Sequence, residues 1–395
     1  MTATALAPPT GLRNLDAAVA RHGVHGERWI AAMWQGDPLA DAVVEELGGR
    51  ALGPVRTAIR DGVTADTPAS VRALFAQLED EPGWVDHAAL DRAAGHLARQ
   101  PELGIALGAA SLVAGANNAI AGKPLRFTGR YASEAAVRSI EVGAWYRDVT
   151  TPGGLRRGGA GFEKTVRVGM IHALVRAHLT RHEDWETAAW GVPIPQPYMA
   201  FTLAEFGSVA LGAVRRLGVR YTRAEKADIY HLWRYVGHLI GMDERLNPTS
   251  EADHHRIEQL YALTSPGPED DDRVFVRALI DDYLALELAK ALPLLTPRAA
   301  ARYLNGLART FVGEDQADAL RLPDTRLKHV PSVLGPVALA GYTLFDLIPG
   351  MKARRTARAF RVRDAQLTRL REEYGVGHDL VDAAPAGPAA HPAQN

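Results

Sequence analysis

The chain contains no cysteine, and that one absence removes several chemistries. Disulfides, thiolate-ligated haem, covalent haem attachment through Cys-x-x-Cys-His and cysteine-bound iron–sulfur clusters are all excluded. An excess of either charge is also missing. With 45 basic and 46 acidic residues the formal charge is −1, which leaves no electrostatic footprint for nucleic acid. Met1 to Arg13 holds neither an apolar core of signal-peptide length nor a twin-arginine motif, so a cytoplasmic location is expected. No run alternates long enough to demand a β-sheet.

Clean long apolar runs are scarce as well. Leu103 to Ala121 includes Gly104, Gly108, Gly115, Asn117 and Asn118, which suits a close-packed internal helix better than a lipid-spanning one. Val333 to Pro349 is interrupted at Gly335-Pro336 and followed by Lys352, Arg354, Arg355 and Arg358. It reads as a core helix leading into a solvated basic helix; the alternative is a segment lying on an anionic membrane surface.

What is present is helical periodicity over most of 395 residues, 47% of them hydrophobic, enough to bury a large core. The expected architecture is all-α, a single domain over residues 11–376 with disordered tails at 1–10 and 377–395. Helices are predicted over 37–62, 101–121, 132–149, 162–181, 199–217, 222–241, 330–346 and 352–374, among others. Pro82-Gly83, Thr151 to Gly154, Pro193 to Pro197 and Ser265 to Pro268 mark the breaks.

The segment Lys164 to Arg176 places one histidine among aliphatic residues. Val168, His172, Val175 and Leu179 share a helical face, so His172 is expected to point inward. There it is either a core histidine or a buried ligand. Arg176, one turn on, is placed to bind a carboxylate of whatever His172 holds. Other motifs fail inspection. Gly158 to Thr165 resembles a phosphate loop, but Glu163 stands where glycine is needed. Glu251 to His254 supplies one Glu-x-x-His element where helical di-iron sites need two. His231 and His238 are two helical turns apart, about 10 Å, too far for one ion. Glu269-Asp270-Asp271-Asp272 reads as a solvated helix cap. There is no Gly-x-Ser-x-Gly or His-Glu-x-x-His motif.

Several blocks together are similar to the latex-clearing protein, or rubber oxygenase, family. They are Gly36-Asp37-Pro38-Leu39-Ala40-Asp41-Ala42-Val43-Val44, Thr128-Gly129-Arg130-Tyr131, Glu141-Val142-Gly143-Ala144-Trp145, and the helix around His172. Gly191 to Gln196 with Phe201-Thr202, and Trp233 to Gly237 leading into Leu239 to Met242, complete the set.

The resemblance implies an all-α, globin-like multi-helix bundle around a buried haem pocket, with non-covalent haem b. His172 would be the proximal iron ligand, supported by Arg176 and by Arg167 at a propionate; for Arg167 an exposed surface position is the alternative. The family's arginine three residues before the histidine is replaced by Gly169. Glu141 matches an acidic residue near the reactive face, the alternative being a surface glutamate paired with Arg138. Lys164 and Thr165 offer the residue types of the family's distal lysine and threonine, and Thr165 could instead start a helix or touch haem.

The implied reaction is oxygenation, with dioxygen, of an alkene or other electron-rich carbon in a small hydrophobic intracellular isoprenoid or polyketide metabolite. Oxidative C=C cleavage is the family precedent. Two alternatives stay open: a non-catalytic haem sensor or carrier with Met170 or Met199 near the iron, and a cofactor-free helical enzyme using His172 as acid–base group.

Overall fold

The computed structural model describes residues 6–127, 134–292 and 294–379, and among them every regular element is helical, with no strand. Side-chain caps set several helix starts. Asp37 accepts hydrogen bonds from the Leu39 and Ala40 amides at 3.0 and 3.1 Å at the head of Pro38–Leu47, and Pro38 fits the first turn. Thr222 and Glu225 form a reciprocal capping box before Arg223–Leu239. The acidic run at 269–272 is a helix cap, with Glu269 and Asp272 capping Asp270–Arg277, but it is solvated only over 269–271, since Asp272 is fully buried.

Two long expected helices are broken. The run 37–62 divides into Pro38–Leu47 and Leu52–Asp61 around a 3₁₀ turn at Gly48–Arg50, where Gly48 takes a φ of 58°. Glu102–Gly115 turns through 100° into Ala119–Phe127. The Asn118 carboxamide oxygen caps the second of these, accepting from the Ile120 amide at 3.2 Å. Much of this broken pair is buried, as an internal segment should be. The helix Gln196–Arg216 is long and apolar enough to cross a membrane, but 78% of its apolar window is buried inside the protein and it serves as a core helix.

Three π-helical stretches, Leu107–Leu112, Glu205–Val209 and Ala278–Leu284, are packed together in the interior. The Ser111 hydroxyl donates to the Glu205 carbonyl at 2.6 Å, and Leu284 fills the space a Cβ on Gly108 would need. Such stretches often mark functional sites. Two hydrophobic cores flank them. One includes Trp29, Phe75, Phe162, Leu203 and Trp233; the other is built from the C-terminal helices with Phe275, Leu279, Leu304 and Leu307. The helix Ala135–Val149 runs along the seam, contributing Ile140 and Ala144 to the second core and Trp145 and Val149 to the first.

The chain is engaged further toward its ends than the expected tails allow. The Trp34 indole donates to the Ala7 carbonyl at 3.1 Å, and the Thr10 and Gly11 amides donate to the carbonyls of Ala188 and Ala189. At the other end His378 and Asp379 form ion pairs with the body. Val330–Asp346 departs from the core-helix reading, since only Pro331 and Gly335 on it are buried. Its inner strip is made of small residues seated on the chain at Gly218, which covers little of the helix.

Candidate functional site

His172 lies midway along Ala160–Leu179, a helix set in the first core by Phe162, Val166, Met170, Ala173 and Leu174. Its Nδ1 is buried and has no hydrogen-bond partner. Burial, with the nearby guanidinium groups of Arg176 and Arg138, pushes its pKa down to about 4, so the imidazole is neutral at pH 7. The residue nevertheless keeps some accessible surface. A neutral, unpartnered imidazole is a suitable nitrogen donor for a metal. Among the described residues no group of three or more His, Asp or Glu is placed to hold a bare metal ion.

Arg138, on Ala135–Val149, is the cation that approaches His172 from a second helix. From the sequence alone Arg138 is a candidate only for a surface pair with Glu141. Glu141 is not a surface residue: it is 1% exposed, and its carboxylate meets the His378 Nε2 at 2.8 Å. Lys164 bridges two carboxylates, Asp148 at 2.6 Å and Asp379 at 2.8 Å. Burial works against ionisation of Asp379, but Lys164 and Arg371 outweigh it and hold its carboxyl below the ordinary range. Glu141 and Lys164 are therefore both tied to the segment 376–379.

Thr165 is fully buried with both capacities of its hydroxyl used. It donates to the Gly161 carbonyl at 2.6 Å and accepts from the Trp145 indole at 3.1 Å, clamping Ala135–Val149 onto Ala160–Leu179. Arg167 is buried rather than exposed and lies 3.5 Å from Glu163. Met170 packs into the core two residues before His172, on a different face of the helix, and Met199 is likewise buried in the core.

Arg176 is bonded to the protein through two of its nitrogens, while its buried Nη2 has no hydrogen-bond partner. Its Nε donates to Asp41 at 2.9 Å and its Nη1 to the Ile194 carbonyl at 2.8 Å. Beside it the Gln196 carboxamide donates to the carbonyls of Gly36 and Gly241 and accepts from the Asp243 amide, each at 2.9 Å. The blocks at 36–44, 191–196 and 239–242 thus meet in one polar knot. Asp37 belongs to it, its carboxyl pushed up to about 6 by burial. Gly241, at a φ of 80°, lies where a Cβ would collide with that carboxylate. The block Thr128 to Tyr131 lies outside the described residues.

The knot forms one wall of a cavity of about 1080 Å³ lined by Asp37, Asp41, Glu81, Trp84, Arg234 and His238, among others, with the Arg234 guanidinium 3.7 Å over the Trp84 ring. His172 does not line this cavity. His231 and His238 do not converge: the first accepts from the Asp86 amide at 2.9 Å, the second faces Glu244 at 3.6 Å, and Trp84 packs edge-on against both. His254 is a core histidine with both nitrogens unpartnered, its ring against Tyr230.

One buried acidic residue, Glu205, is not marked by any sequence motif. Glu205 sits in the π-helical turn of Gln196–Arg216, and burial pushes its carboxyl up to about 8, against a hydrogen bond with Thr202. Thr202 is exposed although its immediate neighbours on this helix, Phe201 and Leu203, are buried. Gly115 makes room for the carboxyl, since a Cβ there would collide with it. Next to Glu205, Phe206 stacks on Tyr146 at 5.9 Å and on Trp233 at 5.0 Å, and meets Trp145 at 5.2 Å, joining this helix to Ala135–Val149. The visible sign in the sequence was an acid in the middle of a long apolar stretch.

A model of the family described as ER-bound oxygenase mpaB/B'/Rubber oxygenase, catalytic domain, matches residues 96–341, more than half of the chain. The chain belongs to this oxygenase family. It is 24% identical to a rubber oxygenase of Streptomyces sp. (strain K30) over 265 residues, which is 65% of this chain and 64% of that relative's length. A solved structure of latex clearing protein LCP in the closed state superposes with a TM-score of 0.59 at 19% identity, covering 83% of this chain and 88% of that one. The fold is therefore the all-helical fold of that protein. The family match takes in Arg138, Glu141, Lys164, Thr165, Arg167, His172, Arg176 and Glu205, whereas the segment 376–379 that ties down Glu141 and Lys164 lies beyond it.

Proposed function

We propose that this family member is a haem-dependent oxygenase that uses dioxygen to attack an alkene or other electron-rich carbon of a small hydrophobic isoprenoid or polyketide metabolite in the cell. The observation that carries the reading is His172: a neutral imidazole with an unpartnered Nδ1, in the interior of the family's catalytic domain and beside a cation from another helix. The residues fit a single-histidine haem, with His172 as the ligand and Arg138 and Arg167 as guanidinium groups for its propionates. When bound, haem would supply the redox chemistry that activates dioxygen.

The protein's own groups supply the rest. Glu205, protonated at neutral pH, can donate a proton into the interior, and Thr202 orients that carboxyl. Phe206, Tyr146 and Trp145 give an apolar surface suited to an alkene. Glu141 is a second buried carboxylate, held by His378. Use of His172 as a cofactor-free general base is disfavoured, because a pKa of about 4 makes it a weak base at pH 7.

The test is the visible spectrum of the purified protein, oxidised, reduced and with carbon monoxide, beside His172→Ala. The expected result is a Soret band that moves with carbon monoxide and is lost or strongly weakened in the variant. A wild type that stays colourless after haem is supplied, or an unchanged band in His172→Ala, would overturn the proposal.

A further inference from the structure

Seven of the fourteen large apolar side chains that stand exposed among the described residues fall between Val333 and Ile348: Val333, Leu334, Val337, Leu344, Phe345, Leu347 and Ile348. They cover the outer face of Val330–Asp346 and the turn after it. The inner face is fixed to the protein at two levels. Gly335 packs so closely on the Arg216 carbonyl, and Gly218 on the Gly335 carbonyl, that no Cβ would fit at either position, and the Tyr342 hydroxyl hydrogen-bonds Glu102. A helix with its polar bond and its glycines inward and its large aliphatic groups outward reverses the usual pattern of a soluble surface.

The charges around this face say what it meets. Arg215, Arg216 and Arg220 are exposed beside its middle, next to Gly218. Past its far end the chain bends by 113° into Met351–Glu373, whose first two turns carry Lys352, Arg354, Arg355 and Arg358. Asp346 pairs with Arg355 at 3.0 Å and Lys352 at 3.5 Å. Arg215, Arg216, Arg220, Arg354 and Arg358 have no carboxylate partner among the described residues. The chain as a whole is nearly neutral, so this is a local concentration of positive charge.

We propose that the outer face of Val330–Asp346 docks the protein on the surface of an anionic lipid bilayer, its aliphatic side chains entering the headgroup region and the flanking arginines meeting lipid phosphates. The helix lies flat, because its inner contacts prevent it from turning to span. A second copy of the chain is the wrong occupant, since face-to-face pairing would bring the two sets of unpaired arginines together. This inference is independent of the proposed reaction.

The experiment is sedimentation of the full chain with phosphatidylcholine vesicles, with and without phosphatidylglycerol, at low and high salt. Partitioning onto the phosphatidylglycerol vesicles is expected, weakened by salt. Leu344→Ser with Phe345→Ser, and separately Arg354→Glu with Arg358→Glu, should each lower the partition coefficient about tenfold or more. All four positions are exposed, so melting temperature and circular dichroism should match the wild type and exclude misfolding. No binding to anionic vesicles, or binding that neither variant weakens, overturns the proposal. So does a dimer, seen by light scattering without lipid, that the Leu344/Phe345 variant dissolves, since the face would then belong to a second copy.

Discussion

Protonation of single buried groups should be readable in the stability of the whole chain. His172 and His254 are held by burial at about 4 and about 3, while an unfolded histidine titrates near 6.5. Between 6.5 and those values the unfolded chain binds more protons, so the stability present above pH 6.5 is lost progressively as pH falls. Glu205 and Asp37, whose carboxyls are raised, work the other way over the same interval, so the readout is the difference between variants: the wild type should lose more stability, or gain less, than His172→Gln between pH 7 and pH 4.5 in urea unfolding. An identical pH dependence in that variant would mean that folding does not depress the ring's pKa. Glu205 has the opposite sign. Raised from 4.5 to about 8, it favours the fold below 4.5 and loses that contribution as pH rises through 8. Glu205→Gln should therefore stabilise, by on the order of 3 kcal/mol at pH 7, and lower turnover if the carboxyl is the proton donor proposed above. His172 was legible because its periodicity is local to one helix. Arg138 was not, because its approach to His172 depends on how two helices pack.

Between elements, the two arginines linked to His172 should separate by readout. Arg176→Met breaks the bonds to Asp41 and the Ile194 carbonyl, and should cost roughly 2–3 kcal/mol in urea unfolding, since Asp41 is partly exposed. If haem binds at His172 as proposed, Arg138→Met should lower haem affinity, read by haem titration. If Arg176→Met abolished haem binding at unchanged stability, these roles would be reversed. Thr165→Val removes the clamp between Ala135–Val149 and Ala160–Leu179, and should cost about 1–2 kcal/mol. The sequence marked Thr165 by residue type alone; only the packed pair of helices assigns it to the Trp145 indole. The breaks at Gly48-Gly49 and Asn117-Asn118 were visible as residues, but the continuing apolar periodicity on either side hid them. The acidic cap at 269–272 was legible because capping is local.

At the scale of the molecule, the seam between two cores is held shut partly by the last described residues. A chain ending at Val376 loses the pairing of His378 with Glu141 and of Asp379 with Lys164. Both pairs include a partly exposed partner, so the loss should be about 1 kcal/mol. Amide exchange in 135–149 should rise; unchanged protection there would show that the terminal segment only lies on the surface. Composition and periodicity made the all-helical class legible, and the resemblance supplied the family. Neither revealed which face of Val330–Asp346 is left outside, because a run rich in aliphatic residues looks the same in a core and at a boundary.

The knot around Gln196 has a consequence for how such a chain can change length. One carboxamide fixes the separation of Gly36, Gly241 and Asp243, and Arg176 ties the same region to Asp41 and Ile194. An insertion in any one of these loops would pull its carbonyl or amide away from the shared side chain. Relatives that keep the knot should keep all three loops at constant length together, with their insertions and deletions collecting instead in the exposed turn at 63–68.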